Sequence, residues 1–306
     1  MRHVHRIMTL LLVPALAVAQ PPSDQWLVKP VDDRTFNAFR SFYAYDKNLP
    51  LEIHVSGRDT SSGLLVETFS YQSTPGIRVT ARSYSAASGS SQRRPALIIL
   101  HGGGAPGKDA AGIKFWGDYL ARAGFLVLTI DMQFFGERAN PEVLTSFTEA
   151  EKHDKLYNQP AAHLAWVMQN IKDVGRGYDL LVTERDADPR RVGLVGFSRG
   201  AMMALIIGGA DKRLAAVAAV LAGHFDALER VHEAAACPAN YIGRIAPRPL
   251  FMVNGENDAD MFRNESVLPM QKHARQPKEI IWLPTGHTFP REESPRLVSW
   301  LQNKLR

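Results

Sequence analysis

Six short apolar runs recur from residue 96 onward: ALIIL (96–100), FLVLTI (125–130), VGLVGF (192–197), AAVAAVL (215–221), PLFMVN (249–254) and EIIWLP (279–284). They lack the alternation of a strand with one wet face. Each is therefore expected to be buried on both faces, as strands of a parallel sheet are. Helical patterns lie between and after them, at 111–123, 161–174, 201–208 and 294–304. Strands alternating with helices imply a parallel sheet covered on both faces. In such a sheet ligands bind beyond the carboxyl ends of the strands, so the residues just past each run carry the functional signal.

Upstream the pattern changes. Residues 51–56, 64–71 and 77–84 alternate, are rich in β-branched side chains and are separated by the turn signals GRDTSSG and STPG. They are expected to form an antiparallel meander at one sheet edge, followed by a surface loop, SYSAASGSSQRRP, at 83–95. No repeat or linker divides residues 20–306, which are read as one α/β domain. With 306 residues, 45% of them hydrophobic, a large core is available. The net charge of +5 is spread in short clusters, with no basic run interleaved with aromatics. Nucleic acid is therefore not an expected partner.

Residues 1–19 have a charged start, MRHVHR, then the apolar run IMTLLLVPALAVA ending in Ala17-Val18-Ala19. That run falls short of the about 20 residues a membrane span needs. It reads as a signal peptide cleaved after Ala19, and the expected location is periplasmic or secreted. Cys237 is the only cysteine, so no intrachain disulfide or cysteine-rich metal site can form. It sits in HEAAACPAN with no glycine elbow, so it is read as a buried or loop residue.

Several of the apolar runs end in residues with chemical potential. The first ends in HGGGAPG, whose glycines at 102–104 offer open N–H groups suited to an oxyanion. It lacks the Gly-Lys-Ser/Thr ending of a phosphate loop, and His101 is read as structural. The second ends in DMQFFGERANP. Asp131 there is a loop organiser or cap, and Phe134 and Phe135 either line a pocket mouth or pack on the body. The third ends at Ser198 in GFSRG. Serine before AMMAL could simply cap a helix, but strand, sharp turn and helix is also the context of a nucleophile elbow. After the fifth run, GENDADMF supplies Asp258, with Glu256 and Asp260 as competing carboxylates. After the sixth, TGHTFP supplies His287.

A serine hydroxyl is a weak nucleophile and needs a base within hydrogen-bond reach. An imidazole can take and return the proton near neutrality, and a carboxylate fixes its tautomer and stabilises its cation. Ser198, Asp258 and His287 are one such set, in the chain order of hydrolases whose triad is built on strand ends.

At these residues the sequence resembles the α/β-hydrolase superfamily, and within it the dienelactone-hydrolase-like and acetyl-xylan-esterase-like branch. HGGG, YLARAGFLVLTIDMQFFGER, DPRRVGLVGFSRG, IAPRPLFMVNGENDAD and TGHTFP carry the resemblance, which spans most of the chain from about residue 43. It implies Ser198 as nucleophile, Asp258 as acid and His287 as base. It also implies an oxyanion hole from the backbone N–H of Arg199 and Gly103, with Gly102 or Gly104 as alternatives. Dienelactone hydrolase itself has cysteine where Ser198 stands, so a serine esterase is expected. No metal or organic cofactor is implied. The expected substrate is a small-molecule or carbohydrate ester with a short acyl group, because the long loops at 132–160 and 222–248 look mostly polar. A helix expected at 226–236 carries charges rather than an apolar stripe. Two competing readings remain. One is a prolyl-oligopeptidase-like peptidase, although about 90 residues before the first buried run are too few for a propeller of at least four blades. The other is a non-catalytic binding protein on the same fold.

Overall fold

The computed structural model describes residues 25–61, 63–87, 92–231, 233–258 and 264–305; the expected signal peptide and Asp260 lie outside them. Nine strands form one sheet: β1 (His54–Asp59), β2 (Leu64–Thr74), β3 (Ile77–Ala86), β4 (Arg94–Leu100), β5 (Leu126–Ile130), β6 (Ala187–Phe197), β7 (Ala216–Val220), β8 (Leu250–Gly255) and β9 (Lys278–Leu283). Their spatial order is β1-β2-β3-β5-β4-β6-β7-β8-β9. The pairs among β1, β2 and β3, and between β3 and β5, are antiparallel. All pairs from β5 to β9 are parallel. This is the α/β-hydrolase arrangement, with the meander at one edge as expected, except that its first strand lies at His54–Asp59 rather than 51–56 and takes in the first residues of the GRDTSSG turn signal, which pair with β2.

The apolar runs are buried for the reason their composition gives. Along β4, Ile98 and Leu100 enter one core and Leu97 and Ile99 the other, all with no exposed surface. Side chains alternate across a strand, so an unbroken apolar run is satisfied only when both faces are covered. One face carries α3 (Ala111–Arg122) and α9 (Ser294–Lys304), through Ile113, Trp116, Leu120, Leu297 and Trp300. The other carries α5 (Pro160–Glu184) and α6 (Arg199–Ala210), through Trp166, Ile171, Val174 and Leu205. Short helices α1 (Gln25–Val28) and α2 (Asp33–Phe39) precede the sheet. Further helices are α4 (Glu149–Lys152), α7 (Ala239–Ile242) and α8 (Asn264–His273).

Two expectations are corrected. Helix α5 runs to Glu184, ten residues past the expected end. Gly175 and Gly177 obscure the helical pattern there, yet they do not break the helix. A Cβ at Gly175 would lie 2.7 Å from the Tyr45 ring, and one at Gly177 would lie 3.0 Å from the Tyr71 hydroxyl. The glycines let two aromatic rings press on the helix. No helix spans 226–236: only the 3-10 turn Ala234–Ala236 is present among the described residues. The Asp226 carboxylate instead accepts the N–H groups of Leu228 and Glu229, both at 2.9 Å, which curls this segment into a loop.

Candidate active site

The site lies at the carboxyl end of the parallel strands. Ser198 follows β6 and holds φ 54°, ψ −119°, a strained conformation for a residue with a side chain. Its neighbours permit the turn. A Cβ at Gly196 would lie 2.1 Å from the Gly200 carbonyl oxygen. One at Gly200 would lie 2.4 Å from the His101 oxygen and 2.5 Å from that of Leu100. The Ser198 hydroxyl makes no cap to α6. It lies 2.8 Å from His287 Nε2. The bland alternative, a helix cap, is therefore not what the side chain does.

His287 follows β9 and Asp258 follows β8, the neighbouring strand. Their loops are tied by Glu256 N–H to the Leu283 oxygen (2.8 Å) and Asn257 N–H to the Thr285 oxygen (2.9 Å). They approach so closely that a Cβ at Gly255 would lie 2.2 Å from the Gly286 oxygen. This brings His287 Nδ1 to 2.6 Å from Asp258 Oδ2. An ionised carboxylate only accepts, so Nδ1 carries the proton and the Nε2 lone pair faces the serine hydroxyl. Ser198, His287 and Asp258 thus form one hydrogen-bonded chain. Asp258 is buried and Glu256 is exposed.

Gly103 and Arg199, the two expected oxyanion donors, flank the same pocket of about 360 Å3 with Ser198 and His287. Arg199 opens α6, where first-turn N–H groups have no intrahelical acceptor. The glycine loop is braced from below. His101 is buried, its Nε2 accepts the Met132 N–H at 3.0 Å and its Nδ1 lies 2.5 Å from the Gly102 oxygen. Burial holds its imidazole below the usual range, which fits the structural reading. Asp131 organises the adjoining loop, accepting from Thr80 Oγ1 (2.7 Å), Lys108 N–H (2.7 Å) and Lys108 Nζ (3.0 Å). A larger cavity, about 570 Å3, has Arg40, Lys212 and Arg275 on its wall and none of the expected site residues.

The segment 132–160 forms the pocket wall, supplying Phe147, Glu149, Lys152 and Tyr157. The two phenylalanines singled out from the sequence do not line it. Phe135 is fully buried and Phe134 is half-buried against the same core. Glu151 shapes the wall: its carboxylate accepts the N–H groups of Thr145, Ser146 and Phe147 at 2.7–2.9 Å. Hydrogen bonds to Thr145 lead the causes that pull it down to about 2. Lys152 Nζ donates to the Gly103 oxygen (2.7 Å) and to Glu149 (2.6 Å).

Beneath the wall lies a charge cluster that the sequence pattern hides. The Arg199 guanidinium donates to Asp226 (2.5 Å) and Glu229 (2.8 Å), and it stacks 3.8 Å from the Tyr157 ring centroid. His153 Nε2 lies 2.8 Å from Asp226. Burial would lower the His153 pKa, but the Asp226 carboxylate more than offsets it and holds it above the usual value. Glu149, His153 and Asp226 come close enough to hold a cation. However, Arg199 and His153 already occupy the Asp226 carboxylate and Lys152 occupies that of Glu149. The set fits an ion-pair cluster better than a metal cage. Cys237 is buried away from this pocket, its sulfur 3.7 Å from His224 Nδ1.

The model of the family described as Serine hydrolase (FSH1) matches residues 134–296, more than half of the chain and a span that includes Ser198, Asp258 and His287. No curated protein matches by sequence. Among solved structures, acetyl xylan esterase 1 from Thermoanaerobacterium sp. JW/SL YS485 aligns with a TM-score of 0.71 at 14% identity, over 93% of this chain and 99% of that one. The acetyl xylan esterase from Paenibacillus sp. R4 aligns at 0.66 and 14% identity, over 93% and 100%. A cold-adapted esterase from an Arctic intertidal metagenomic library aligns at 0.63 and 22% identity, over 82% and 98%. At these identities the likeness is one of fold.

Proposed function

The chain belongs to the serine hydrolase (FSH1) family, and from that premise we propose that it hydrolyses short-chain carboxylic esters through an acyl-enzyme on Ser198. The observation that carries this reading is the unbroken Ser198–His287–Asp258 hydrogen-bond chain opening on a pocket. Ser198 Oγ attacks the acyl carbon while His287 Nε2 takes its proton. The N–H groups of Gly103 and Arg199 hold the oxyanion. The intermediate collapses, the alcohol leaves with the proton from His287, and Ser198 keeps the acyl group. Water, deprotonated by His287, then releases the acid and restores the serine. Asp258 keeps the imidazole in the required tautomer throughout.

The pocket supports a short acyl group and a polar alcohol such as a carbohydrate. Lys152, Glu149 and Tyr157 place polar groups on its wall beside the apolar ring of Phe147. The described residues line no long apolar tunnel at Ser198, so extra methylenes find no surface there to bury, and the about 0.8 kcal/mol each would gain is not realised. The acetyl xylan esterases among the structural neighbours point the same way. The charged start and short apolar run at 1–19 support export, which N-terminal sequencing of the secreted protein tests by looking for a start at Gln20.

The deciding experiment measures kcat/KM for p-nitrophenyl esters from acetate to palmitate, with and without a lipid interface. The expected optimum lies between acetate and butyrate. A steady rise toward palmitate, or strong activation by the interface, refutes the proposed substrate class.

A further inference from the structure

Tyr157 is 1% exposed, and its hydroxyl has no hydrogen-bond partner among the described residues. A buried phenol without a partner is costly, and two other fully buried tyrosines avoid that cost. Tyr71 donates to the Asp173 oxygen at 2.8 Å and Tyr241 to the Ala235 oxygen at 2.6 Å. The Tyr43 hydroxyl also has no partner among the described residues, but it does not line the Ser198 pocket. Tyr157 does.

The ring cannot easily turn away. The Arg199 guanidinium covers one face at 3.8 Å, and His153 and Trp166 meet it edge-on at 5.2 and 5.8 Å. The hydroxyl is thereby directed at the glycine loop: a Cβ built on Gly103 would lie 3.7 Å from it and 3.2 Å from Lys152 Nζ. Lys152 has three N–H donors and gives two, to Gly103 and Glu149. One wall of the pocket thus offers two unspent donors side by side. Burial also pushes the Tyr157 phenol well above its usual range, so it remains a donor wherever the enzyme works.

We propose that Tyr157 donates a hydrogen bond to a second oxygen of the substrate, a hydroxyl or ring oxygen next to the scissile ester, and so selects esters of polyhydroxylated alcohols. This assignment rests on the esterase reading above and adds a specificity-determining residue to it. Sites that hold a buried hydrogen-bonding group discriminate strongly against substrates lacking the matching atom.

The test compares trans-2-hydroxycyclohexyl acetate with cyclohexyl acetate, which differ by one hydroxyl. The wild-type enzyme is expected to prefer the first in kcat/KM by about 10-fold or more. In Tyr157→Phe that preference should collapse toward unity while the melting temperature holds or rises, because no structural hydrogen bond is lost. Absence of preference in the wild type overturns the assignment without recourse to a variant. Equal losses on both esters in Tyr157→Phe, or a preference that survives the change, overturn it as well. If the wild type hydrolyses neither ester although Ser198 is labelled by a fluorophosphonate, the substrate reading fails and this assignment with it. Absence of labelling locates the failure in the serine hydrolase mechanism instead.

Discussion

Replacing Arg199 with methionine should destabilise the protein far more than a surface arginine would. The Asp226 and Glu229 side chains it binds are 1% and 0% exposed, and its own is 5% exposed. Methionine keeps much of the volume and removes the charge, so two buried carboxylates lose their guanidinium partner. Breaking a buried ion pair in this way costs about 3–5 kcal/mol. The stacking on Tyr157, worth up to about 2 kcal/mol when desolvated, is lost in the same step and is partly contained in that figure. With an unfolding entropy of about 2.1 cal/mol/K per residue, each kcal/mol moves the melting temperature of a chain of this size by a little under about 2 °C, so a fall of about 5–8 °C is expected. Urea titration should give a lower midpoint at an unchanged slope, the sign of lost stability in the same folded and unfolded states. Adding Glu229→Gln should recover part of the loss, because it removes one of the unpaired charges. A drop under about 1 kcal/mol, or a double variant worse than the sum of its parts, would refute the reasoning that this cluster is a paired, desolvated unit.

The same cluster sets a pH dependence. The folded pKa of His153 is raised, so its contribution is full below the usual imidazole value of 6.5 and is lost as pH rises through the folded value. Asp226 is buried, which alone would raise it, yet His153 and Arg199 hold it lower; its contribution is present above 3.8 and is lost as pH falls through the folded value. Stability from the pair should therefore be greatest between about pH 4 and 6.5. The decline in melting temperature on the alkaline side should flatten in His153→Asn, and an identical decline would exclude His153 as its source. At the elbow, Gly200→Ala would force a Cβ against the His101 and Leu100 oxygens at 2.4 and 2.5 Å. Overpacking of this kind costs about 1–3 kcal/mol, and because the yielding backbone is the glycine loop, kcat should fall more than stability does. Wild-type turnover in that variant would show that the elbow tolerates expansion.

The strands β4 to β9 were legible because a chain buried on both faces has to be apolar at nearly every position, and that pattern survives without knowledge of the fold. The meander was legible from its alternation and its turn residues. The three residues of the hydrogen-bonded chain were legible for a related reason. Each stands just past a strand end, near a glycine that a close approach demands. The wall of the pocket was not. Lys152, His153 and Tyr157 lie in EKHDKLYNQP, which reads as a polar loop, and Asp226, the partner of His153, is 73 residues away. Their charges resemble a solvated helix face until folding turns them inward against Arg199. Arg199 itself stood out only for its backbone N–H, since nothing local marks its side chain as buried. Phe134 and Phe135 drew attention as an apolar pair, whereas Phe147, which lines the pocket, stands alone in a polar stretch.

The central claim is that Ser198 is the nucleophile of an acyl-transfer reaction. Intact-mass and peptide mapping after treatment with a fluorophosphonate test it most directly, alongside turnover of p-nitrophenyl acetate. The account predicts one adduct, on Ser198, formed in step with loss of activity, no adduct in Ser198→Ala, and a fall in kcat of roughly 10⁴- to 10⁶-fold in that variant. Labelling at another residue, or near-normal turnover in Ser198→Ala, would contradict it.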